Sequence, residues 1–97
     1  MNVNSSNVLK VIGTNLRELR KLHGLTQVQL AKQLDVSSAT ISLWESGSAD
    51  MGVTRLGVVS WYFGVTPDIM YRPQGYRDID PQTLKLRRYL AAEGPGR

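Results

Sequence analysis

Apolar residues recur along this chain at helical rather than strand spacing. Val8, Ile12, Leu16 and Leu19 fall at i, i+4, i+8 and i+11, one face of a helix entered at Ser6 or Asn7 and ended by Gly24. Gly13 sits inside that helix, where glycine costs about 1 kcal/mol relative to alanine, so the first turn is expected to fray. Thr26 is a natural N-cap, with Gln29 three residues on to complete a capping box, and Val28, Leu30, Ala31 and Leu34 follow in a second helix that stops near Asp35. Ser37 caps a third helix carrying Ala39, Ile41, Leu43 and Trp44, which Gly47 ends. After a loop of loop-forming composition from Ser46 to Gly52, a fourth helix is predicted over about Thr54 to Phe63, ended by Gly64. A short fifth begins at Thr66 with Pro67 in its first turn. Arg72 to Arg77 reads as a linker, and Asp80-Pro81 repeats the cap-plus-proline start of a terminal helix over Thr83 to Ala92. No segment alternates apolar and polar residues over six positions between turn signals. The expected fold is all-α: five short helices, a linker and an additional C-terminal helix.

The second and third helices are separated by only Asp35, Val36 and Ser37, so they must cross sharply instead of lying antiparallel. Ala31 is small enough to let their backbones approach. Val36, Ile41 and Trp44 are placed to pack inward, which leaves Ser38, Ala39, Ser42 and Leu43 outward. A helix held proud of its domain by a perpendicular neighbour has the shape that enters a DNA major groove.

Composition narrows the chemistry. The 97 residues make one domain with a little left over, and the chain has no cysteine, which excludes disulfide scaffolds, iron–sulfur clusters and cysteine-type zinc sites. One histidine and eight acidic residues without a paired motif point away from an enzyme, and neither a metal nor another cofactor is implied. No apolar run approaches the roughly 18 residues of a membrane span. The first residues lack a basic stretch followed by an apolar block, so no signal peptide is expected and a cytoplasmic location is assumed. The net charge of +4 favours a polyanionic partner weakly. Its distribution is uneven: residues 1–71 hold six basic against five acidic residues, whereas residues 72–97 hold six against three. If nucleic acid is the partner, the tail helps to hold it.

With these residues in view, the chain resembles the Cro/repressor (XRE) helix-turn-helix family. The resemblance is carried by Leu16-Arg17-Glu18-Leu19-Arg20, Gly24-Leu25-Thr26-Gln27, Leu30-Ala31, Val36-Ser37, Ile41-Ser42, Trp44-Glu45-Ser46-Gly47, Leu56 and Tyr62-Phe63-Gly64-Val65-Thr66. It covers about Ile12 to Tyr71 and implies a five-helix, phage-repressor-like domain over residues 7–71. Residues 72–97 lie outside it and are expected to serve dimerisation or docking. It also implies that Gln27 contacts a phosphate and braces the recognition helix. Arg20 and Glu45 match a pair that ties the first helix to the end of the third, a structural role in which neither touches a base. A fork of guanidinium nitrogens meeting a carboxylate suits that task.

The DNA-binding set expected on this resemblance is Thr26, Gln27, Ser37, Ser38, Ala39, Thr40, Ser42 and Leu43. It departs from the family's pattern in three ways. Asp35 stands where the turn usually has glycine. Ser38 and Leu43 replace the Arg, Lys or Gln that often read bases. The loop after Gly47 lacks basic residues. Hydroxyls, an alanine and a leucine can still meet bases and thymine methyls, with helix N-termini on the phosphates, so specificity per position is expected to be modest. Such a domain reads only about four or five base pairs, which implies a homodimer on a palindromic site.

Two functions from different classes fit these features. One is a dimeric, sequence-specific transcriptional regulator of double-stranded DNA, a repressor of phage, plasmid or mobile-element type. The other is the same scaffold as a protein-interaction module, an antirepressor or toxin partner with weak DNA binding. Trp44 is expected in the core. Trp61 is open between core and subunit interface. His23 is expected as a solvated residue at the end of the first helix, and Leu84, Leu86 and Leu90 as a stripe joining two subunits.

Overall fold

The computed structural model describes residues 4–84. Five helices follow in order: α1 (Ser5–Leu22), α2 (Gln27–Leu34), α3 (Ser38–Glu45), α4 (Gly52–Tyr62) and α5 (Pro67–Tyr71). Turns cover residues 72–80 and a further helical turn opens at 81–84. No strand occurs among the described residues, and the all-α expectation holds. Most of the expected terminal helix, with Leu86 and Leu90, lies outside the described residues.

The cap residues behave as their chemistry dictates. Thr26 and Gln29 close a full capping box: the Thr26 hydroxyl accepts from the Gln29 amide at 3.0 Å and the Gln29 side chain accepts from the Thr26 amide at 2.9 Å. Ser37 accepts from the Thr40 amide at 3.1 Å and starts α3. Asp80 accepts from the Thr83 amide at 3.1 Å. At the first helix the expectation falls short. Asn4, not Ser6 or Asn7, is the cap, accepting from the Asn7 amide at 2.9 Å, so α1 begins two or three residues earlier. At the fourth, α4 starts at Gly52, ahead of Thr54, with Met51 as a cap that makes no side-chain bond, and Asp50 accepts from the Gly52 amide at 3.0 Å.

Leu16, Leu19, Leu30, Ile41, Phe63 and Met70 are fully enclosed, with Trp44 and Val59 beside them. Polar contacts complete the core. Ser60 donates to the Leu56 carbonyl at 2.7 Å. Buried Asn15 of α1 directs its amide at the Met70 and Arg72 carbonyls, each at 2.9 Å, and so satisfies the backbone at the end of α5. Gly75, at φ +56°, lies against that side chain, where any Cβ would collide with the Asn15 amide oxygen. Arg72 to Arg77, expected as a linker, is thereby fastened to α1, with Arg72 paired to Asp78 at 2.7 Å.

Several single-residue expectations change. His23 does stand at the end of α1, but it is half-buried and stacks on Phe63 with ring centroids 5.3 Å apart. Val58, whose apolar character suggests the inward face of α4, is 45 % exposed, because that face is Leu56, Val59 and Ser60. Trp61 is 40 % exposed and not in the core. Leu84 is fully buried in this domain's own core, so it cannot belong to a stripe that faces a second subunit.

Gly13 is the largest correction. It is not a weak point near a frayed end but the place where α3 rests on α1. A Cβ there would strike the Trp44 carbonyl oxygen and lie 2.6 Å from that of Glu45. Both neighbours are backbone atoms, so neither can swing aside. Gly13→Ala should therefore destabilise by about 1–3 kcal/mol, as overpacking does. Helix propensity predicts the opposite, a gain of about 1 kcal/mol. Urea unfolding of the two proteins decides the sign.

Candidate nucleic-acid interface

Asp35 ends α2 in the left-handed conformation, φ 56° and ψ 48°, the geometry for which the turn usually carries glycine. The Val36 amide returns to the Ala31 carbonyl at 3.0 Å, and the chain leaves at the angle that starts α3. Ala31 is buried at the crossing, as its size requires. α3 then lies on α1 as well as on α2. Its Ile41 and Trp44 point inward, and Ser38, Ala39, Ser42 and Leu43 are exposed.

The end of α3 is held by a polar knot. Arg20 Nε donates to Glu45 Oε2 at 2.6 Å and its Nη2 to Oε1 at 3.0 Å, a bidentate pair. Its Nη1 donates to the Leu25 carbonyl at 2.8 Å, in the turn before α2. Gln27, the first residue of α2, donates from Nε2 to Glu45 Oε1 at 3.1 Å. One carboxylate thus joins three helices. The side chains of Arg20 and Glu45 are 11 % and 5 % exposed. The hydrogen bond to Glu45 raises the Arg20 pKa above its ordinary value against the opposing effect of burial, so the guanidinium stays charged.

The expected residues divide by environment. Ser38, Ala39, Ser42 and Leu43 form a continuous outward face on α3. Thr26 is exposed at the start of α2. Ser37 and Thr40 are committed to the cap, their hydroxyls 2.9 Å apart. Gln27 is half-buried in the brace to Glu45. Two residues outside the expected set are exposed on the neighbouring helices. Val28, one position beyond Gln27, is 55 % exposed. Arg17 lies on α1 at the rim of a cleft that also reaches Ser42. The i+3 spacing of Arg17 and Arg20 was the available signal for the second.

A helix-turn-helix family model matches residues 16–70, more than half of the chain. The chain belongs to the helix-turn-helix family. Among curated proteins, this helix-turn-helix chain is 47% identical over 53 residues to the HTH-type transcriptional activator BcrR of Enterococcus faecalis, covering 55% of this chain and 26% of that protein. It is 26% identical over 84 residues to the antitoxin PezA of Streptococcus pneumoniae serotype 4, covering 86% of this chain and 53% of that protein. The chain therefore spans about a quarter and about half of these relatives' lengths. No solved structure matches it.

Within the helix-turn-helix domain, Arg20 and Glu45 bond to one another, to Gln27 and to the Leu25 carbonyl. Removing one partner leaves the other charge enclosed, at a cost of about 3–5 kcal/mol in a buried pair. The cleft beside Arg20 is open to water, so the low end applies. Arg20→Ala and Glu45→Ala should each lose about 3 kcal/mol in urea unfolding with the ranking of DNA sequences unaltered. An unchanged melting temperature with an altered ranking would contradict this.

Proposed function

We propose that this chain is a sequence-specific DNA-binding transcriptional regulator acting as a homodimer, with α3 in the major groove. The observation that carries this reading is the outward face of α3. Four adjacent residues, Ser38, Ala39, Ser42 and Leu43, stand free of the core on a helix that is fixed at both ends. In this reading Ala39 and Leu43 meet thymine methyls, and Ser38 and Ser42 meet base edges or phosphates. Gln27 holds the helix from α2, and the capped N-termini at Thr26 and Ser37 face the backbone. The task is binding and not catalysis, at DNA in the cytoplasm. No helix among the described residues is long and apolar enough to cross a membrane. Repression follows if the occupied site overlaps a promoter.

Residues 7–71 constitute the DNA-binding domain, and residues 72–97 the segment that docks and supports the dimer. With Leu84 turned into its own core, the outer face of α4 is the surface offered to a second copy. Val53 is 85 % exposed there, Val58 and Trp61 share the face, and the one charge on the helix, Arg55, donates to the Leu34 carbonyl. Burial of Leu84 also makes residues 72–84 part of the folded unit.

A second reading has an observation of its own. The similarity to PezA reaches well beyond the family model's residues, and that relative's name is antitoxin. On that reading the scaffold binds a protein and touches DNA weakly. A low-salt gel shift with the DNA upstream of the chain's own gene separates the two. A discrete complex that survives excess random competitor is expected. Ser38→Arg with Ala39→Gln should keep the helical circular dichroism and lose the preference for that DNA. Binding no tighter than to random DNA would reject the regulator in favour of the interaction module.

A further inference from the structure

The outward face of α3 carries hydroxyls and aliphatic groups but no cation, so the phosphates flanking any groove it enters must be met from another element. Most arginines of the described residues are already engaged. Arg20 serves Glu45 and Leu25, Arg55 donates to the Leu34 carbonyl at 3.2 Å, Arg72 pairs with Asp78, and Arg77 donates to the Pro73 carbonyl at 3.1 Å. Arg17 differs. It is exposed and makes no hydrogen bond or ion pair among the described residues. Its helix neighbours three and four positions away are Gly13, Thr14, Arg20 and Lys21, none of them acidic, so nothing on its face of α1 neutralises it.

Arg17 borders a cleft of about 280 Å³ whose other walls are Arg20, Gln27, Ser42, Glu45 and Ser46. The one acid there, Glu45, is neutralised by Arg20 and receives a further hydrogen bond from Gln27. The cleft is therefore left with the charge of Arg17 and the hydroxyl of Ser42. Ser42 also belongs to the outward face of α3, so the cleft opens beside the surface that would meet DNA. An anion seated there would touch α1 and α3 together.

We infer that Arg17 binds one backbone phosphate of the DNA per subunit, in this cleft between α1 and α3. This rests on the regulator reading. It assigns to α1 the charged contact that α3 lacks, and Arg17 joins the interface as a residue insensitive to base sequence. A planar guanidinium suits a phosphate oxygen pair better than an ammonium does.

The test uses the full chain and the DNA selected by the gel shift, with affinity followed across a salt series. Arg17→Gln should weaken selected and random DNA alike, by about tenfold, and lower the slope of log affinity against log salt by about one per subunit. Arg17→Lys should restore the slope and only part of the affinity. Methylphosphonate replacement of single phosphates then locates the contact. At one position per half-site, neutralisation should weaken the natural chain and leave Arg17→Gln unaffected. Arg17 is exposed, so both variants should melt as the natural chain does, and Arg17→Lys carries the test if Arg17→Gln does not fold. Natural chain that binds while a folded variant matches it in affinity and slope overturns this inference alone. A changed slope with no such phosphate position also overturns it, leaving only long-range charge. Natural chain that does not prefer the selected DNA overturns the regulator reading and this contact with it.

Discussion

The orientation of α3 depends on a backbone-to-backbone contact at Gly13. There the last carbonyls of α3 rest on α1 with no room for a methyl group between them. Close approach brings Glu45 within reach of Arg20, and the resulting pair draws in Gln27 from α2 and the Leu25 carbonyl from the intervening turn. Ile41 and Trp44 are then enclosed, and their burial turns Ser38, Ala39, Ser42 and Leu43 outward. A shift of α3 away from α1 would loosen the polar knot and the apolar packing together. A helix held in this way can present side chains at fixed positions, a requirement for reading base edges.

The parts of this fold that were legible in the sequence are those set by local chemistry. Thr26 with Gln29, Ser37, and Asp80 before Pro81 cap where their hydrogen-bonding groups predict, because a cap is decided within four residues. The outward face of α3 followed from periodicity, and the Arg20–Glu45 pair from the resemblance. Contacts between distant segments were not legible. Gly13 looked like a defect because propensity counts only its own helix, whereas its value lies in what approaches it from α3. Asn15 and Gly75 are 60 positions apart, and nothing local says that one side chain closes α5 while the other leaves space for it. The place of His23 at a helix end says nothing of Phe63, which arrives from α4's terminus to stack on it. Apolar spacing puts Leu84 on a face without naming what covers it, and the domain's own core does.

The candidate interface reflects the same division of labour. In the proposed complex α3 would contribute shape and small side chains, α2 a capped N-terminus and a glutamine bound to α3, and α1 the charge that α3 lacks. An interface of this kind would spread its affinity over backbone contacts and gain selectivity from a second subunit instead of from a single strong base reader. The proposed dimer would use the outer face of α4, which carries exposed Val53 and Trp61.

Native-state hydrogen exchange of the unbound protein tests most directly whether α3 is one mechanical unit with α1. The amides of Trp44 and Glu45 at the end of α3 should exchange only through global unfolding, with the same opening free energy and denaturant dependence as those of Leu16 and Leu19 in α1. Exchange of the α3 amides through a separate opening, orders of magnitude faster and insensitive to denaturant, would contradict the account.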